Sequence, residues 1–479
     1  MVLLLGVSIQ AFDTGPHFDL THAALAEHKF SDVPIKIVQV ENWLTDYYSS
    51  SPTISASKRL DLEKLHFDNL FTSKQVANYW GWLIANLRSE SQKAATANDP
   101  LRMLVTMGIG LHAVQDFYTH SNWVETHPRA ADGPYRTDTF LSSGVSTVTP
   151  TNANLFTGKY PEDRKTGPGS DTTPAGALSH GGYSGGLNKD SSVREHWDEA
   201  YVFAYAGSHE LIGLFEKWAY AARPGFWKTV GEYRIDSAEN AKLGYDIRAL
   251  RNMSMWIKGK GQDGHWKGDK SGSARFFSAF SSKWVGKNSS VFVKIAAEGK
   301  IQNAIANKLY TDDSSPALPV TPKFSLKRRI IVVRATQIAE IKENNPVSKR
   351  LASTGGTDFY ARITVGGQEY WERTMQKSRD TADPWFVIHF ADQAERAIPI
   401  KIAVWDEDDT DSVKDQQMDI NPLPGKKFLD LVFNPTNNDL SGDLSGIFNT
   451  RAAAVSSEGA KPDTDRARIR FFVAQFTLR

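Results

Sequence analysis

The chain changes its hydrophobic period part-way along its 479 residues. From about residue 17 to 310, apolar side chains recur every three to four positions, which predicts mainly helix. The clearest segments are Thr21–His28, Val38–Tyr48, Ser73–Ala94, Asp99–Tyr118, Ser192–Trp218, Ala238–Ile257 and Val291–Leu309. Residues 128–192 break this pattern with Gly, Thr, Ser, Asn and Pro. A connection that long is expected to carry function. A second break, GKGQDGHWKGDKSGS, falls near residue 265. Over residues 313–323, Pro, Ser and Asp replace helix formers and mark a linker. Beyond it the period becomes two. RIIVVRA, FYARITVGG, WFVIHF, IPIKIAVWD, KFLDLVF and RIRFFVAQFTL read as strands between turns. The predicted fold class is therefore multi-domain α + β: a mainly α-helical domain over 1–312, a linker over 313–323, and an antiparallel β-sandwich over 324–479.

Composition narrows the chemistry. A hydrophobic fraction of 40% with 13 Trp is enough for two cores. The net charge of +1 gives no basic surplus, so nucleic acid is not an expected partner. The absence of cysteine excludes disulfides, thiolate metal sites and a thiol nucleophile, and it fits an exported protein. Any metal must be held by His, Asp, Glu or backbone oxygen. The opening MVLLLGVSIQAFD is too short to span a bilayer and lacks the Lys or Arg of a signal peptide. It reads either as a trimmed signal remnant or as a buried first segment. There is no P-loop, and the GYSGG string at 182–186 and the GKGQDG string at 259–264 lie in the Gly-rich breaks rather than between a predicted strand and a helix, so neither reads as a serine elbow or a dinucleotide loop.

The most informative stretch is Leu111–Glu125, LHAVQDFYTHSNWVE. It spaces His112, Asp116 and His120 four residues apart. At about 100° per residue these positions drift only about 80° around a helix and share one stripe. The apolar run before them, LRMLVTMGIG, predicts that this helix is buried. A single histidine on such a helix is ordinarily a hydrogen-bonded core residue. The distribution of the others favours a metal site: of 12 His, ten precede residue 210, grouped with acids. The groups are His17, Asp19 and His22; His66 and Asp68; the helical triplet; His180; and His196. Neutral imidazoles with a carboxylate that can bridge are the donors zinc prefers.

With HFD at His66–Asp68, SHGG at Ser179–Gly182 and the LNKDS run, the first 310 residues resemble the zinc metallophospholipases C of Gram-negative bacteria and fungi, the group that includes the Het-C-like proteins. More distantly they are similar to the Gram-positive zinc phospholipases C and alpha-toxins. The resemblance implies a helical bundle holding two or three zinc ions in a cleft. It implies zinc ligands at His22, His66, His112, Asp116 and His120, with Asp116 bridging. His196 matches the start of an HxxxE element, but Ala200 stands where the glutamate belongs, and His180 is the candidate replacement. The Gram-positive enzymes use a free amino terminus ten residues before the first histidine. Phe12 occupies that position, and without cleavage there His17, Asp13 or Asp19 is the candidate substitute. The family's water-orienting aspartate maps to Asp46, with Asp61 as the alternative, so Asp46 and Asp116 are the implied catalytic pair.

The implied activity is metal-assisted hydrolysis of glycerophospholipids, phosphatidylcholine among them, to diacylglycerol and a phosphorylated head group. The implied setting is secreted or extracellular and bacterial. Two other readings stand beside it: a zinc phosphodiesterase or nuclease on the same scaffold, and a non-catalytic, toxin-like membrane-disrupting protein. In the second domain DFYARITV, DPWFVIHF and IAVWDED resemble the C2-type lipid-binding sandwich. That resemblance implies a phospholipid surface as partner and calcium at Asp358, Asp406, Asp408 and Asp415. One first-loop aspartate of that pattern is missing, since the region reads NNPVSKRLASTGG.

Overall fold

The computed structural model describes residues 14–50, 64–127, 139–142, 154–159, 187, 189–190, 196–234, 328–341, 359–371, 380–392, 394–406, 416–447, 454–460 and 465–477. The predicted helices at 238–257 and 291–309, the linker and most of 128–192 lie outside them. Helices occupy the N-terminal half and antiparallel sheets the C-terminal half, a mixed α + β chain. It divides into two compact units at Phe324 and Ser325.

The first unit contains α1 (Thr14–Glu27), α2 (Asp32–Ser50), a 3-10 turn at Lys64–His66, α3 (Ser73–Ala97), α4 (Pro100–His120), α5 (Trp123–Thr126), α6 (Trp197–Ala222) and α7 (Phe226–Gly231). α4 is central and packs on α2, α3 and α6. Every residue from Met103 to His120 is buried, as expected of a helix surrounded by others. Its start is encoded locally. The Asp99 carboxylate accepts from the Arg102 N–H at 3.0 Å, and Pro100 occupies the first turn, where no amide hydrogen is needed. α3 opens on a capping box between Thr72 and Gln75 and closes on Asn98 in the left-handed region.

Close crossings set the site. A Cβ on Gly108 would lie 2.7 Å from Glu41 Cβ, so only glycine lets α2 approach here. Gly108 is one turn before His112, and this approach brings Asn42 of α2 against the His112 ring. Gly207 does the same for α6, where a Cβ would meet Tyr118 at 2.8 Å. Phe67 anchors the turn between His66 and Asp68, its ring packed on Trp80 and Phe117 at 4.9 and 5.1 Å. That anchoring aims the two polar neighbours at α4.

The second unit has eleven strands among the described residues: β1 (Arg328–Glu340), β2 (Phe359–Val365), β3 (Gln368–Trp371), β4 (Asp380–Asp392), β5 (Ile398–Asp406), β6 (Gln416–Met418), β7 (Leu429–Asn434), β8 (Asp439–Gly442), β9 (Gly446–Ile447), β10 (Val455–Glu458) and β11 (Ala467–Thr477). One sheet runs β10-β11-β1-β4; the other runs β3-β2-β5-β7-β8-β9, with β6 on β5. All these strand pairs are antiparallel. The inner faces share one apolar core, with Ile331 and Val333, Phe359 to Val365, Ile398 to Val404 and Ala467 to Val473 contributing alternate residues. At Thr336 the register with both neighbours shifts, a β-bulge. The inward set therefore moves from Ala335 to Ile338.

Candidate metal centre

Three separated stretches meet at the Asp116 carboxylate, one turn from the end of α4. His17 Nε2, from α1, lies 3.1 Å from Oδ1. His66 Nδ1, from the 3-10 turn, lies 3.0 Å from Oδ2. His112 Nε2, one turn earlier on α4, lies 3.0 Å from the same oxygen. His66 Nδ1 and His112 Nε2 are also 3.0 Å apart, so the three atoms form a nearly equilateral triangle. His17 stacks on His112 with centroids 4.6 Å apart. His17 is 1% exposed and the other three 0%.

The amides around these rings settle their tautomers. Asn42 Nδ2 donates to Thr21 Oγ1 at 3.2 Å and to Gln115 Oε1 at 3.1 Å. Gln115 Nε2 donates to Ser208 Oγ at 3.2 Å and to Thr21 Oγ1 at 3.4 Å. Both amides therefore turn an oxygen toward a histidine. Gln115 Oε1 accepts from His17 Nδ1 at 2.6 Å, and Asn42 Oδ1 accepts from His112 Nδ1 at 3.1 Å. A neutral ring that donates at Nδ1 carries its lone pair at Nε2, the atom facing Asp116. Burial keeps the rings neutral. It lowers His17 to about 4, and it holds His112 well below its ordinary value with help from the neighbouring imidazoles.

Two Nε2 lone pairs thus face the Asp116 carboxyl group at 3.0–3.1 Å, while His66 Nδ1 lies within hydrogen-bond distance of Oδ2. Electron-rich atoms at that distance repel. A divalent cation among them turns repulsion into ligation. The spacing suits one, because donors about 2.0–2.1 Å from zinc at 90–109° stand about 2.8–3.4 Å apart. Gln115 and Asn42 are the outer partners such ligands require. His17, His112 and Asp116 form a buried group able to hold a metal ion.

Next to it sits a second polar set. His120 Nε2 lies 3.2 Å from Asp190 Oδ1. Its Nδ1 lies 3.3 Å from Asp68 Oδ1 and donates to the His66 carbonyl at 2.9 Å. Burial opposes a charge on His120, yet Asp68 and Asp190 outweigh it and hold the ring well above its ordinary value. His120 thus sits between two acids, beside the Asp116 group.

The remaining predicted residues fall elsewhere. His22 is half-buried on α1, outside the His17–His112–Asp116 group. Five residues separate it from His17, so the two lie about 140° apart around the helix. His196 precedes α6 at φ 59° and bonds Glu199 at 2.7 Å, a glutamate three rather than four residues on. Asp46 lies four residues after Asn42 on α2, and its side chain is outside the described residues. His180, Asp13, Asp61, Asp358, Asp408 and Asp415 also lie outside them. Asp406 ends β5, in register with Phe359 and Gln416. Asn42, Gln115, Thr21 and Asp190 carry no sequence signal as site residues, save that Asp190 falls in the LNKDS run.

No protein-family model matches the chain, and no curated protein matches it. Solved structures do. A C2 domain is similar over 31% of this chain and 99% of its own, at 9% identity and TM-score 0.20. A C2 domain of plant extended synaptotagmin 1 matches over 31% of this chain and 95% of its own, at 11% identity and TM-score 0.20. Human GIVD cytosolic phospholipase A2 matches over 32% of this chain but only 17% of its own, at 8% identity and TM-score 0.20. At these scores the likeness carries no weight, and the sandwich rests on its own strand order and register.

Proposed function

We propose that the helical unit is a zinc-dependent phospholipase C, hydrolysing glycerophospholipids to diacylglycerol and a phosphorylated head group. The observation that carries this reading is the convergence of His17, His66 and His112 on the two oxygens of Asp116 in a fully buried setting. These four residues would hold the metal. Zinc bound there supplies a water of pKa about 7 and neutralises charge on a phosphoryl group. Asp116, with partners on both oxygens, suits a bridging carboxylate. Gln115 and Asn42 fix the rings and keep their lone pairs inward. Asp68 and Asp190, held around His120, add carboxylates beside the group. The absence of cysteine excludes a thiolate, and on this reading water is the nucleophile.

The sandwich, by its sequence resemblance to lipid-binding C2 domains, would dock the protein on a phospholipid surface outside the cell, with calcium at Asp406 and the acids after it. No helix among the described residues is long and apolar enough to cross a membrane. The test is release of phosphocholine from phosphatidylcholine vesicles by the full chain, with and without complete chelation, beside single-stranded DNA as substrate. Lipid cleavage that disappears with the metal and returns with zinc supports the reading. Activity that survives metal removal, or cleavage of DNA alone, overturns it.

A further inference from the structure

α1 and α6 bring together another pair of imidazoles. His28 follows the last residue of α1, eleven positions after His17, or about 16 Å further along the helix axis. His209 lies in the middle of α6. His28 Nε2 and His209 Nδ1 stand 3.1 Å apart, with ring centroids at 5.0 Å and planes tilted by 35°. On the other side of His209, Nε2 meets Glu27 Oε2 at 3.1 Å. Tyr205, one turn earlier, packs edge-on against the His209 ring at 4.6 Å. His209 is 5% exposed, while His28 and Glu27 are half-buried and reach solvent.

We propose that His28 and His209 form a second divalent transition-metal site, which clamps the end of α1 to α6 while Glu27 orients the His209 ring. A carboxylate 3.1 Å from Nε2 favours the proton on that nitrogen and leaves the lone pair of His209 at Nδ1, facing His28; carboxylate, imidazole and metal is the usual outer arrangement of a metal-binding histidine. The 3.1 Å separation falls within the about 2.8–3.4 Å expected of two nitrogens on one ion. Burial first, and then His209 beside it, hold His28 down to about 4, so it is in the ligating neutral form at pH 7. Solvent on the His28 side completes the coordination with water. Two neutral nitrogens with open positions suit zinc or copper(II) rather than calcium or magnesium. None of these three residues takes part in the Asp116 group, and this site stands whether or not that group is catalytic.

The experiment uses the full chain, stripped by chelator and titrated with Zn²⁺ by calorimetry. Wild type binds one equivalent more than His28→Gln, and Asp116→Asn retains that equivalent. Glu27→Gln weakens it by roughly 10–100-fold. Cu²⁺ added to the Asp116→Asn chain, with this site untouched, gives an electron paramagnetic resonance spectrum with coupling to two nitrogens. Equal stoichiometry in wild type and His28→Gln, or a copper spectrum without nitrogen coupling, overturns the proposal and leaves an N–H···N bond between the rings. If Asp116→Asn binds as much metal as wild type, the reading of the Asp116 group fails, while the His28-dependent equivalent still decides this one.

Discussion

Between the sheets of the sandwich the inward residues are mostly Ile, Val, Leu, Phe, Ala, Met and Trp at alternate positions of the long strands, and the buried His389 of β4 is paired with Tyr370 at 3.1 Å. At the centre of the helical unit the buried positions include His17, His66, Asp68, His112, Asp116, His120 and Asp190, all at 0–4% exposure. An apolar interior stabilises itself by leaving water, at about 25 cal/mol per Å². A polar interior does so only when every charge and lone pair is answered. The sandwich is thus complete as a chain alone, whereas the helical core is balanced by protons, amides and, on the reading above, an ion.

The largest effect should come from the charge at the centre. Asp116→Asn is expected to lower lipid hydrolysis by more than about 100-fold, the upper end of what loss of outer-shell support alone costs. Vesicle assay and metal analysis check this, and the unfolding midpoint of the sandwich should not move. The converse experiment is Ile402→Ala, which removes a fully buried side chain from β5. It should cost the sandwich about 2–5 kcal/mol by denaturant titration while the metal content of the chain stays the same. A fall in metal content would mean that the two interiors are not independent.

Acid separates them next. His17 titrates near 6.5 when unfolded and near 4 when folded, so between these values the unfolded chain binds more protons. The stability contributed by its neutral ring is complete above pH 6.5 and is lost as pH falls toward 4. From pH 7 to 5 the metal-stripped helical unit should lose about 2 kcal/mol through His17 alone. His120, shifted upward, is charged in the folded state over this range while the unfolded ring gains its proton only as pH falls through 6.5, so it adds stability between pH 7 and 6 and partly offsets this loss. Circular dichroism against urea at each pH reads the trend, and a flat profile would argue against neutral buried rings. The smallest change is Thr72→Ala, which removes the α3 cap and should cost about 1 kcal/mol with no effect on metal.

The two interiors also differ in how far the sequence reveals them. The period-two runs marked β1, β2, β4, β5, β7 and β11, because an inward side chain at every second position is visible in one dimension. The short strands β3, β6 and β8 to β10 left no such trace, and neither did the phase change at Thr336, which is set by pairing with β4 and β11. In the helical unit the stripe His112–Asp116–His120 was legible as one face of a helix. Its last member nevertheless turns to Asp68 and Asp190, because the HFD turn and the residues near 190 approach that end of α4. His17 rather than His22 meets Asp116, a choice made by the rotation of α1 against α4. Asn42 and Gln115 read as ordinary helix residues until α2 and α4 cross at Gly108.

The depth of the Asp116 group bears on how it exchanges what it holds. With His66, His112 and Asp116 at 0% exposure, a chelator, like the phosphate of a lipid, reaches an ion among them only through an opening of the packed residues around it. Removal must wait for packed helices to part, an opening that does not involve the chelator. The half-time of metal loss is then the same when the chelator is doubled, and it shortens steeply on warming.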